Sequence, residues 1–180
     1  DVGISGDGRR IAYTCPNLHV YDWLDESSLG ECSSGLVRDG GFCWKKRVLT
    51  TEPSFAWPDH QGEIALSGDG SRLAITGTGS DGDEVLVVSL TGHLEDTASV
   101  DVVLVPTSTS DRMIGTRAAW NHGGTFLMLG SQAHSNLRGR VEYWTYASAV
   151  LSLQGSFRGN VGDQVGSCVS VSEDARTCVF

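Results

Sequence analysis

Proline is scarce in this chain, with 4 in 180 residues, and basic side chains are few, 13 against 22 acidic ones, for a net charge of −9. Nucleic-acid binding draws on a basic patch, so no nucleic-acid partner is expected. The one basic cluster, Lys45-Lys46-Arg47, reads as the solvated part of an edge strand, where lysines blunt unwanted sheet pairing. No run of 18 apolar residues is present, so no membrane insertion is expected. Asn-x-Ser/Thr is missing, which removes N-glycans from the account. No Cys-x-x-Cys pair occurs, which argues against a zinc knuckle. The histidines, 19, 60, 93, 122 and 134, never stand four apart as a helical metal pair would. No Gly-x-Ser-x-Gly nucleophile elbow occurs either. Without such signals, no catalytic residue and no cofactor is assigned.

Glycine, by contrast, is abundant at 23, and hydrophobic residues make up 39% of the chain, enough for a core. Many glycines with few prolines and no low-complexity run indicate tight turns rather than disorder. "LSGDGSRLAI" (Leu66–Ile75) nearly repeats "ISGDGRRIAY" (Ile4–Tyr13). Gly and Asp accept the positive φ of a tight hairpin, and the apolar residues on both sides alternate at period two, as in strands. Antiparallel strands are expected over Glu63–Ser67 and Arg72–Thr76.

The repetition extends further. "LHVYDW", "VLVVSL" and "VEYWTY" each follow a second strand, and "FCWKKRVLT", "VDVVLVP" and "AVLSLQG" supply a fourth. A third copy turns at "NHGG", and a last one turns at "EDA" and ends at "RTCVF". The equivalent turn positions are Asp7, Asp69, Gly123 and Asp174, a period of roughly 50–60 residues. Four strands per period is the signature of propeller blades. A β-sandwich also alternates short strands and turns, but it does not explain why whole four-strand units recur in order. The expected fold is all-β: a partial β-propeller of four-stranded antiparallel blades, about three and a half present. The units fall at roughly 1–58, 59–110, 111–160 and 161–180, the last incomplete. Because 4–8 blades close a propeller, the chain is expected to be part of a longer one or to be completed by another chain.

With the units aligned, the chain resembles the FG-GAP-like repeats of the integrin α-subunit head. The telling stretch is "GDQVGSCVSVSEDA" (Gly162–Ala175), similar to that family's Gly-Asp-x-Phe-Gly turn, Ser-rich strand and Ser-x-Asp-Gly hairpin, with Val165 in place of Phe. "SGDGRRIAY" also resembles the hairpins of TolB-like and tryptophan-aspartate repeat propellers. The FG-GAP-like resemblance implies an extracellular or cell-surface module that binds a protein or glycan partner. Such repeats often hold calcium in an Asp-rich loop between strands one and two. Here that loop has one carboxylate, so the family's calcium ligands do not carry over, and Ca²⁺ needs 6–8 oxygens. The remaining metal candidates are Asp81, Asp83 and Glu84, whose other reading is a solvated hairpin tip. "GTGSDG" (Gly77–Gly82) matches Gly-x-Gly-x-x-Gly, but a strand follows it instead of the helix that dinucleotide binding needs.

The five cysteines are 15, 32, 43, 168 and 178. Cys32 and Cys43 bracket a Gly/Ser-rich loop and could form a local bridge, and Cys168 and Cys178 flank a hairpin and could pair across it. Either bridge implies an oxidising compartment. The alternative is that Cys15, Cys168 and Cys178 are small buried hydrophobes. Trp23, Leu90 and Tyr146 fall at one position in three units, which points to packing between blades. Trp57, in a connection between units, is the aromatic best suited to a binding contact. The long insertion Asp25–Gly41, with Asp25 and Arg38, is the other contact candidate. Two further readings stay open: a structural segment pairing with neighbouring chains through blade edges, and a hydrolase with its site in the propeller channel.

Overall fold

A computed structural model describes residues 1–14, 18–24, 37–39, 42–46, 63–79, 82–90, 99–104, 117–132 and 137–180. Its fifteen strands form four antiparallel sheets. The first sheet contains β1 (Val2–Ile4), β2 (Arg10–Thr14), β3 (Leu18–Leu24), β4 (Val37–Asp39) and β5 (Phe42–Lys46), in the order β1-β2-β3-β5-β4. The second runs β6 (Ile64–Leu66), β7 (Arg72–Gly79), β8 (Gly82–Ser89), β9 (Ser99–Leu104). The third runs β10 (Arg117–Trp120), β11 (Phe126–Ser131), β12 (Arg140–Ala147), β13 (Val150–Arg158). A last hairpin pairs β14 (Ser170–Val171) with β15 (Cys178–Val179).

Each sheet places its first strand innermost. β1 lies against β6, β6 against β10, and β10 against β14. Sheets that meet through their first strands and stack face to face are propeller blades, and the chain is a partial β-propeller. The first blade differs from expectation in one respect. It has a fifth strand, β4, which lies inside the 25–41 insertion and covers the outer side of β5.

The strand sequences explain why the blades stack. The inner strands read Val-Gly-Ile, Ile-Ala-Leu, Ala-Ala-Trp and Val-Ser-Val over 2–4, 64–66, 118–120 and 169–171. The middle residue is small every time. Alternate residues of a strand face opposite sides, so each blade has a bulky face and a small-residue face. The bulky face of the second blade (Ile64, Leu73, Ile75, Leu86, Val88) packs on Ala12, Leu18 and Val20 of the first. The bulky face of the third (Trp120, Leu127, Leu129, Tyr146) packs on Ala74, Val85 and Val87 of the second. Fully burying one such side chain is worth about 1.5–3 kcal/mol, so these two seams dominate the stability of the fold. The second and third blades also share a bulge at one position of their third strand, between Val87 and Val88 and between Tyr143 and Trp144.

Candidate functional site

Four turns lie at one end of the inner strands, and they share one set of hydrogen bonds. In the first, the Ser5 hydroxyl donates to Asp7 Oδ1 at 2.6 Å, the Arg9 N–H to the same oxygen at 2.9 Å, and the Arg10 N–H to Ser5 Oγ at 2.9 Å. Ser67, Asp69, Ser71 and Arg72 repeat these bonds at 2.6, 2.9 and 2.9 Å. Ser172, Asp174, Arg176 and Thr177 repeat them at 2.7, 3.1 and 2.9 Å. In the third turn Asn121 replaces both side chains, and its Oδ1 accepts the N–H groups of Thr125 and Phe126, each at 2.9 Å. The residue that closes each turn has positive φ: Gly8 (71°), Gly70 (70°), Gly124 (61°) and Ala175 (59°).

These bonds set the charge of the turn end. The Ser5 hydroxyl and the Arg9 N–H hold Asp7 below the ordinary carboxylate range. Burial acts to raise Asp69, but donors from Ser67 and Ser71, with His122 nearby, outweigh it, and its pKa is also lowered. Asp174 is lowered through Ser172 and Arg176. The three aspartate turns thus hold carboxylates whose oxygens already accept hydrogen bonds from their own chain.

Neighbouring turns join to each other. The Gly6 N–H donates to Gly68 O at 2.7 Å, the Asp69 N–H donates to His122 O at 2.8 Å, and His122 Nδ1 lies 4.0 Å from Glu173 Oε1. Position 68 has to be glycine, because a Cβ there would come within 2.9 Å of His122 Cα. An arginine at the start of the second strand ties the first two joints. Arg10 pairs with Asp22 of its own blade and donates to Gly70 O and Leu90 O of the next. Arg72 donates to Ser89 Oγ at 2.8 Å and lies 5.0 Å above the Tyr146 ring of the next blade. Leu90 and Tyr146 therefore do pack between blades, as their equivalence predicts. The N–H groups of Trp23, Leu90 and Tyr146 bond to Arg9, Ser71 and Thr125 at 2.7, 2.9 and 2.8 Å, which fixes the three as one position.

The opposite end of the inner strands has its own ties. Asp1 Oδ2 accepts the Ile64 N–H at 2.8 Å, and Glu63 Oε2 accepts the Ala118 N–H at 3.1 Å. Arg117, at the matching position, donates to Ser167 O at 3.0 Å. Burial pushes the Glu63 pKa up, against the Ala118 N–H and the Arg117 guanidinium. Asp1, Glu63, Arg10 and Arg72 were not singled out from the sequence, although Arg10 and Arg72 occupy one position in the two matching turns.

Among the described residues, the sequence candidates Arg38 and Asp83/Glu84 lie in different sheets. β3 ends beside the turns, through the Trp23–Arg9 bond, and β5 starts opposite it with Cys43 facing Leu24, so the 25–41 insertion is attached at the turn end. Arg38 lies in β4, opposite Cys43 at the edge of the first blade. Asp25 and Trp57 fall outside the described residues. Asp83 and Glu84 are not in a loop. They belong to β8, opposite Thr78 and Gly77, in a ladder that runs to Gly79 opposite Gly82. Asp81 lies outside the described residues, where among the rest no three His, Cys, Asp or Glu side chains converge.

The expected Cys168–Cys178 pairing needs correction. Both are free, exposed thiols, and the hairpin register puts Cys178 opposite Val171, so Cys168 lies beyond the paired residues. Cys15 and Cys32 lie outside the described residues, which leaves the Cys32–Cys43 pairing outside them too.

No family model matches the sequence. No curated protein matches it either. Among solved structures, the chain is similar to TolB from Acinetobacter baumannii, at 16% identity and a TM-score of 0.48, covering 99% of this chain and 37% of that one. It is also similar to a protein from Lactobacillus plantarum, at 14% identity and a TM-score of 0.47, covering 93% of this chain and 43% of that one. The chain spans less than half the length of both.

Proposed function

We propose that the chain is a non-catalytic β-propeller module of the FG-GAP-like kind, extracellular or on a cell surface, that holds a protein or glycan partner at its turn end. One observation carries this reading. The one strand added to the four-strand plan among the described residues, β4 in the 25–41 insertion, is attached at the end where four hydrogen-bonded turns join to each other. Binding loops set on a rigid scaffold are the usual arrangement for recognition. The turn carboxylates bond to their own backbone, which favours a platform over an acid–base site. No cofactor is needed for this role.

The test is to replace 25–41 with a two-residue turn and measure binding to a defined glycan panel and to candidate surface proteins. The reading expects binding by the parent chain, and its loss in the variant at unchanged circular dichroism. Retained binding in the variant overturns the placement, and a parent chain that binds none of them overturns the function.

A second reading is pairing with a neighbouring sheet through an open blade face. The observation in its favour is that Val2 and Ile4 are 67% and 60% exposed on the bulky face of the first blade.

A further inference from the structure

The joints between blades are directional. The first and second blades each give the next three things: a carboxylate just before the first strand (Asp1, Glu63), an arginine opening the second strand (Arg10, Arg72), and a small-residue face (Gly3 and Ala12; Ala65 and Ala74), whereas the third blade has Arg117 and Phe126 at the first two positions. The neighbour receives them on its bulky face, at a first-strand N–H and at the glycine that closes its turn. Arg10 side-chain atoms would lie 3.6 Å from a Cβ on Gly70, and Arg72 Cγ would lie 2.6 Å from one on Gly124.

Among the described residues, the first blade has the receiving side without the giver. By register, Val2, Ile4, Ile11, Tyr13 and Tyr21 share one face. They occupy the positions of Ile64, Leu66, Leu73, Ile75 and Val88, and Tyr13 and Tyr21 stack at 5.9 Å. Ile64 is 5% exposed against 67% for Val2, and Trp120, at the Ile4 position, is 6% exposed against 60%. Gly8, equivalent to Gly70 and Gly124, has nothing within 4 Å of where a Cβ would sit.

We propose that this face is a docking surface for one more β-blade, one that carries a carboxylate before its first strand, an arginine opening its second, and glycine or alanine on the face between them. The occupant follows from continuity with the two joints described above, where the same receiving positions meet these groups. A second copy of this chain does not supply them at its last hairpin, where Cys168 and Thr177 hold the carboxylate and arginine positions. The inference rests on the second reading above, that the open face pairs with a sheet, and names the sheet.

The test adds a copy of residues 63–116 in front of the full chain. That segment leads naturally to Arg117, the position that Asp1 occupies in the first blade. Amide exchange at Val2 and Ile4, dye binding to exposed apolar surface, and the thermal midpoint are compared with the parent chain. The expected result is exchange slowed about tenfold or more, loss of dye binding and a raised midpoint. With E63A and R72A in the added copy, most of the protection should disappear. Protection that survives both substitutions overturns the carboxylate–arginine code and leaves sheet pairing standing. No protection from the unsubstituted copy overturns the pairing as well. If the parent chain self-associates at micromolar concentration and I4E abolishes it, the occupant is a second copy and the proposal falls.

Discussion

The turn at Ser5–Arg10 and the turn at Asn121–Phe126 share a hydrogen-bond pattern but almost no residues. In the first, a hydroxyl and a carboxylate divide the work, the carboxylate taking the Arg9 N–H and the hydroxyl the Arg10 N–H. In the third, one amide oxygen takes both, and the Asn121 amide nitrogen adds a bond to Thr125 Oγ1 at 3.1 Å. The anchoring side chain is buried in both, Ser5 at 3% and Asn121 at 8% exposure, while Asp7 itself is exposed. What this turn conserves is acceptors at two places and one residue with positive φ. The residue types that supply them are free to change, at the cost of concentrating the load on one side chain.

The sharpest way to break the comparison is Asn121→Ala. It leaves the half-buried Thr125 and Phe126 N–H groups without their acceptor, and a loss of about 2–3 kcal/mol is expected in urea unfolding. Ser67→Ala removes one acceptor from a turn that keeps its Asp69, so a smaller loss of about 1–2 kcal/mol is expected by the same measurement. A loss for Ser67→Ala equal to that for Asn121→Ala would mean the two designs carry load alike.

The third prediction concerns pH. Asp7, Asp69 and Asp174 have folded pKa values below their unfolded ones. Their contribution is complete above the unfolded value, about 3.9, and is lost as pH falls through the folded value. Glu63 has the opposite sign. Its raised pKa favours the protonated folded form, so its contribution is greatest in acid and fades as pH rises through the folded value. The three aspartates outnumber it, so unfolding midpoints should drop below about pH 4, and the drop should be shallower in D7N/D69N/D174N. An unchanged acid limb would mean that the turn carboxylates gain nothing on folding.

The smallest expected effect is a gain. Ala175 adopts φ 59° where the other turns use glycine, so Ala175→Gly should relieve the strain and raise stability by about 0.5–1 kcal/mol, less the entropy glycine adds to the unfolded chain. A loss would place the strain elsewhere in that turn.

Most of the fold was legible because periodicity and turn chemistry are local. The strands around Ser67–Arg72 follow from alternation, and the equivalence of Trp23, Leu90 and Tyr146 follows from their distance to the end of each third strand. The ladder through Gly77–Gly82 was not legible, because glycine, serine and aspartate in series look like a loop until cross-strand partners are known. The pairing partner of Cys178 was hidden for the same reason, since one residue of register decides which side chains face each other. The roles of Arg10, Arg72, Asp1 and Glu63 were hidden for a different reason. Each acts on the next blade, and nothing within a single unit says which neighbour its side chain reaches.

The ties between blades sit at the two ends of the inner strands, like two hoops around staves. Force or heat applied to the module should therefore peel it from the rim, starting with outer strands such as β13, whose side chains are mostly exposed. The hub bound by Gly6, Gly68 and His122 at one hoop and by Asp1 and Glu63 at the other should yield last. A handle attached at the rim would let the module stretch under load before it came apart, whereas one attached at the hub would make it stiff.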